Sequence, residues 1–240
     1  MSEALPLRDS GEAAPVATVE AVEIASRLAQ RLIHDFMSPA SGVVSGLDLL
    51  DDPAASALRD EAQELIAASA RKLVGALSFA RAAFAGGVEA FDTRRLATLA
   101  EEVFTHLRPG LEWAVEQNEL SSPASRVLLN LTQIAGGALA TGGLARVTAK
   151  SEGGWTAVIV EAIGERVRLH GEVAAGLRGE ALGEGLGGRW VQAFYVHALT
   201  VSAGGVLAAE VLADRVVFKA ALPDPSPPPS PRTDPEGTAS

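Results

Sequence analysis

Two stretches near the start of the chain carry apolar residues at helical spacing. In the first, about Val19–Leu50, they stand at Ile24, Leu28, Leu32, Phe36, Pro39, Val43, Leu47 and Leu50. Steps of three and four residues keep one face of an α-helix apolar. Asp51-Asp52-Pro53 is a stop, since aspartate favours caps and proline lacks an N–H to continue the ladder. A second stripe follows in about Ala54–Phe84, at Leu58, Ala62, Leu65, Ser69, Leu73, Ala76 and Ala80. Together they predict a helical hairpin with a short turn. Two such stripes cannot cover each other fully, whereas two hairpins packed as a four-helix bundle can. A homodimer is one solution; packing of the hairpin on the chain's own C-terminal half is the other.

The texture changes at Gly86-Gly87. Asp92 predicts the cap of a helix reaching about His106, and Leu111–Glu116 alternates like a strand. Ser121-Ser122-Pro123 opens a helix to about Leu139, with proline in its first turn. Leu144–Lys150 and Trp155–Ile163 read as strands, Arg189–Ala203 as a helix. Val206–Val211 and Arg215–Leu222 read as a strand pair around Ala213-Asp214. The expected class is α+β: a hairpin over residues 19–86, then an α/β sandwich with mostly antiparallel strands over 90–223. Residues 1–18 and the Pro-rich 224–240 are expected to be disordered. The latter is either a plain appendage or a ligand for a Pro-binding module.

Composition narrows the function. At 48% hydrophobic residues the 240-residue chain can bury a core. The absence of cysteine removes disulfides, thiol nucleophiles and thiolate metal sites. Four scattered histidines argue against an intrinsic metal, and a net charge of −10 against nucleic acid. The opening Met-Ser-Glu-Ala-Leu-Pro is not a signal peptide, and no run is long enough to span a membrane. The expectation is a soluble, cytoplasmic protein without a cofactor of its own.

Candidate chemistry lies at His34-Asp35-Phe36-Met37-Ser38-Pro39, inside the first helix. At about 100° per residue, His34 points roughly 195° from the centre of the apolar stripe, into solvent. Arg27, Gln30, Arg31, Ser38, Ser41 and Ser45 share or flank that face. They make a small polar surface that another protein can approach. An exposed imidazole near neutrality keeps a nucleophilic lone pair, and Asp35 can hold its other nitrogen. Pro39 removes a backbone donor one turn on and loosens the helix there.

His34-Asp35-x-x-Ser38-Pro39 resembles the H-box of histidine kinases. Arg126-Val-Leu-Leu-Asn130-Leu resembles the start of their N-box helix, and Gly183-Glu-Gly185-Leu-Gly187-Gly188 their G2 box. Ala203-Gly204-Gly205-Val206 and Phe218–Pro223 resemble the end of their ATPase domain. Two features depart from that pattern. Ile134 stands where the N-box has its magnesium-binding asparagine, and Glu161-Ala162-Ile163-Gly164-Glu165 replaces the nucleotide-binding G1 motif. A kinase-like hairpin before a degenerate ATPase-like domain is similar to the ChpT-type histidine phosphotransferases of alphaproteobacteria. The runs Leu47-Asp-Leu-Leu and Gly187–His197 are similar to that family too.

The resemblance implies a dimeric phosphorelay protein. His34 would carry a phosphoryl group from the receiver domain of a hybrid histidine kinase to downstream response regulators, with Asp35 orienting the imidazole. No ATP would bind, and any Mg²⁺ would come with the receiver. His197 is expected to be a packed structural residue. Two alternatives are a non-catalytic dimeric adaptor that binds receiver domains and an active histidine kinase fragment.

Overall fold

Helix α1 (Ala17–Asp51) continues without interruption through Pro39, and the stop falls where the sequence puts it. Asp52 accepts a hydrogen bond from the Ala54 N–H at 2.8 Å, and Pro53 begins the turn that follows. That turn is a 3-10 helix, Pro53–Leu58, rather than the first turn of the second α-helix. Ala55 leaves helical backbone angles (φ −95°, ψ 17°), so α2 (Arg59–Phe84) starts five residues later than the apolar pattern predicts. This computed structural model describes residues 17–87, 90–180 and 188–224. Residues 1–16, the glycine-rich 183–187 and the Pro-rich 225–240 lie outside the described residues.

Two glycines bring the helices of the hairpin together. A Cβ on Gly42 would stand 2.4 Å from Ser69 Oγ, and one on Gly46 2.5 Å from Ile66 Cγ1 and 3.0 Å from the Ala62 carbonyl oxygen. Pro39, on the same side of α1, is buried. The line of closest approach therefore runs along one flank of the apolar arc. Among the described residues nothing covers the other flank: Leu47 is 48% exposed, and Ile33, Met37 and Val44 precede it on the same face. The apolar arc of α1 is thus wider than the stripe that the Ile24–Leu50 spacing predicts.

The second unit is a five-stranded sheet covered by helices on one face. Its strands are β2 (Gly110–Trp113), β4 (Leu144–Glu152), β5 (Trp155–Ile163), β6 (Val206–Val211) and β7 (Arg215–Pro223), in the order β2-β4-β5-β7-β6. Only β2 pairs parallel, with β4. The short strands β1 (Phe91–Asp92) and β3 (Glu119–Leu120) form a separate antiparallel pair. Alternation sets the buried face: Ala145, Val147 and Ala149 from β4, Val158, Val160 and Ala162 from β5, Phe218, Ala220 and Leu222 from β7. Against it lie α3 (Thr93–Phe104), α4 (Ser122–Ala138) and α6 (Gly188–Ser202), with α5 (Gly171–Leu177) beside α6. On the open face, Arg146 pairs with Glu112 at 2.9 Å and Arg215 with Glu161 at 3.3 Å.

Hydrogen bonds fasten the hairpin to this unit at the last turn of α2. A helix end leaves carbonyls without intrahelical partners. Fully buried Asn130 donates from Nδ2 to the Ala83 carbonyl at 3.0 Å, and Arg126 donates to the Phe84 carbonyl at 3.3 Å. The Tyr195 hydroxyl also donates to Ala83, while its ring lies 5.2 Å from that of Phe84. Asn130 Oδ1 accepts from Gln192 Nε2 at 2.9 Å, so α2, α4 and α6 share one network.

Candidate functional site

His34 stands near the middle of α1 with 87% of its side chain exposed, as its angular position predicts. Asp35 Oδ1 lies 3.5 Å from His34 Nδ1, longer than an ordinary hydrogen bond. That leaves Nε2 open to solvent. Asp35 Oδ2 is 3.6 Å from Arg31 Nε, so one carboxylate stands between a guanidinium and an imidazole. Pro39 cannot donate to the Asp35 carbonyl, the acceptor one turn before it.

The polar neighbours predicted around His34 divide into two groups. Ser38, His34, Asp35 and Arg31 line an open groove of about 1280 Å³. Gln30, Ser41 and Ser45 are exposed on α1 but do not line it, and Arg27 is paired with Glu23 at 2.6 Å. Arg31 is not a free surface residue: only 18% of its side chain is exposed. Burial weakens its hold on its proton, Asp35 strengthens it, and the nearby charge of Arg189 weakens it again.

The rest of the groove comes from elements that the H-box does not announce. From α2 it takes Arg71, Lys72 and Gly75; from the end of α3, Glu101, Glu102 and His106; from α4, Gln133. The hairpin wall is basic and the α3 wall acidic. Nothing local in the sequence links these residues to His34, because the junction at α2 and α4 decides which side of α3 faces the hairpin.

The other singled-out residues have structural surroundings. His197 is half-buried with Nδ1 3.0 Å from the Leu177 carbonyl oxygen, a packed histidine as expected. His170 precedes α5, with Nε2 3.2 Å from Arg189 Nη1. His106 is exposed in the groove. Asn130 is committed to the α2–α4–α6 network, and Ile134 is buried beside a small cavity of about 120 Å³. Glu161 lies on the sheet, ion-paired with Arg146 and Arg215. Among the described residues, no three or more His, Asp or Glu side chains gather as a metal site, and no helix is long and apolar enough to cross a membrane.

Comparison with known proteins agrees with this layout. A family model for the histidine phosphotransferase C-terminal domain matches residues 93–215, from the start of α3 into β7. Protein phosphotransferase ChpT of Brucella abortus (strain 2308) is 28% identical over 207 residues, 85% of this chain and 97% of that protein. A solved bacterial phosphotransferase structure, 29% identical, superposes with a TM-score of 0.74 over 83% of this chain and 96% of that one.

Proposed function

This chain belongs to the histidine phosphotransferase family, and from that premise we propose that His34 relays a phosphoryl group between receiver-domain aspartates in a two-component phosphorelay. The observation that carries the proposal is the His34 imidazole: exposed, flanked by a carboxylate, and lining an open groove of about 1280 Å³. The hybrid kinase's receiver docks there with its aspartyl phosphate. The Nε2 lone pair attacks phosphorus, the P–O bond to the aspartate breaks, and the carboxylate leaves with the bonding electrons. The Nδ1–H stays beside Asp35, which balances the positive charge of the phospho-imidazole. The reverse step delivers the group to the aspartate of a downstream response regulator. The receiver brings its own Mg²⁺ for the phosphoryl charge, so this chain chiefly positions the nucleophile.

ATP has no part in this cycle. Supporting that reading, buried Ile134 offers no metal ligand, and the adjoining cavity of about 120 Å³ is well below the roughly 300–1,000 Å³ of drug-sized ligand sites. The working form is a homodimer. Ile33, Met37, Val44 and Leu47 on α1, and Leu65 on α2, are large apolar groups left exposed among the described residues. A second hairpin covers them in a four-helix bundle.

Incubation with a phosphorylated receiver tests the assignment. Label should move to the wild-type chain as an acid-labile, base-stable phosphoramidate, and His34→Ala should abolish it without unfolding. Asp35→Ala should slow transfer less severely, because Asp35 orients and balances charge but forms no bond. Should His34→Ala still accept and pass on phosphate, the assignment fails. His106, the other exposed groove histidine, then becomes the acceptor to examine.

A further inference from the structure

The open face of the five-stranded sheet is divided in two. Toward one end it is charged, with Glu112, Arg146, Glu161 and Arg215 joined in a row of ion pairs. Toward the other end it is apolar across three neighbouring strands. Register sets Trp155 beside Pro223, Ala157 beside Ala221, and Ala221 beside Val206, all on the side away from the helices. Ile159, on the same face of β5, extends the patch. Trp155 is 47% exposed and Val206 66%. Contiguous exposed apolar surface marks an interaction site, whereas single exposed residues need no explanation. Among the described residues, nothing accepts a hydrogen bond from the Trp155 indole N–H.

The chain itself delivers a ligand to this patch. Strand β7 ends at Pro223, directly opposite Trp155, and the Asp224 N–H donates to the Gly154 carbonyl at 2.8 Å. Residues 225–240 follow from that point and begin Pro-Ser-Pro-Pro-Pro-Ser-Pro-Arg, with five prolines in the first seven. Such a sequence favours polyproline II, whose carbonyls make no internal hydrogen bonds and which aromatic surfaces recognise. At about 3.1 Å per residue seven residues reach roughly 22 Å, against about 13 Å along β5 from Trp155 to Ile159. A ligand tethered beside its site has an effective concentration in the millimolar range, so a modest contact is enough. We propose that the Pro-rich segment 225–231 folds back from Asp224 and docks on the apolar end of the open face. Its prolines lie against the Trp155 ring, and one of its carbonyls accepts from the indole N–H. The charged end takes no part, and the contact does not depend on what His34 carries.

The chain has no cysteine, so Thr233→Cys gives a single site for a nitroxide label just past the docking segment. In the full-length labelled protein, the amide resonances of Trp155, Ala157, Ile159 and Val206 should broaden at least twice as strongly as those of Arg146 and Glu161. Trp155→Asp, at an exposed position, should release the segment and at least halve that broadening. Replacing Pro227, Pro228 and Pro229 by glycine should do the same and shift the Trp155 indole N–H resonance, with those of Trp113 and Trp190 unmoved. Broadening no stronger on the patch than at the charged end overturns the proposal. Broadening that a folded Trp155→Asp protein retains in full overturns it too, since the segment then only swings from its tether. A third refuting result comes from mixing nitroxide-labelled chains with separate isotope-enriched ones: broadening that appears only across such a mixture assigns the patch to a second copy.

Discussion

Replacing Asn130 by alanine tests the junction that sets the hairpin against the sandwich. The side chain is fully buried and makes three hydrogen bonds: to the Ala83 carbonyl at 3.0 Å, to the Arg126 carbonyl at 2.9 Å, and from Gln192 at 2.9 Å. At about 1 kcal/mol net for each bond, the loss is about 3 kcal/mol. The orphaned partners add little, because Ala83 keeps the Tyr195 hydroxyl and Gln192 keeps Gln133 at 2.6 Å. Alanine's better helix propensity returns up to about 0.7 kcal/mol. The expected destabilisation is therefore about 2–3 kcal/mol. Urea unfolding, followed by far-ultraviolet circular dichroism and by the buried Trp190, measures it. A loss below about 0.5 kcal/mol would show that the network is solvated or dispensable, and the account of the junction would be wrong. A second readout should move with the first: looser attachment widens the His34 groove, so transfer from a phosphorylated receiver should slow although Asn130 lies outside that groove.

Leu47→Glu should yield a folded monomer of 24.7 kDa by sedimentation, since the residue is half-exposed in the single chain and is buried only in the proposed bundle. A wild-type chain that is monomeric at micromolar concentration would refute the dimer. Gly46→Ala gains about 1 kcal/mol of helix propensity. Its Cβ meets Ile66 and the Ala62 carbonyl, however, and overpacking at about 1–3 kcal/mol should win, lowering the urea midpoint. A raised midpoint would show that the helices part without cost. Burial pushes the Tyr195 phenol above its usual range, against an opposing pull from Arg126. Its contribution to stability is therefore complete below about pH 10 and falls as pH climbs through the raised value. Tyr195→Phe should flatten the alkaline limb of a stability–pH curve, and an unchanged limb would contradict this.

The hairpin, the cap at Asp92 and the long strands were legible because each depends on local periodicity or on a stop residue. The 3-10 turn at Pro53–Leu58 was not, because alanine and leucine read as helix whichever turn they occupy. Strands β1 and β3 are two residues each, too short to alternate. Helix α5, seven residues bounded by glycines, carries no usable period. His34 and Asp35 could be found since their chemistry sits in six consecutive residues. Glu101, Glu102 and His106 reach the same groove only through tertiary packing. Arg31 shows the limit of a helical wheel: it flanks the exposed face by angle, yet its side chain is half-buried on the side where α6 packs against α1.

Helix α4 has thirteen of its seventeen residues buried. Its first half, through Arg126 and Asn130, holds the end of α2; its second half, through Gln133, Ile134 and Gly137, walls the groove and the cavity. An ordinary amphipathic helix has a solvent face on which substitutions drift freely. This one has almost none, so nearly every change is read by the core, the junction or a site wall. Adaptation to a new receiver therefore has more freedom on α1 and at the end of α3, whose exposed residues can be exchanged singly, than on α4, where a useful change needs a companion on another element.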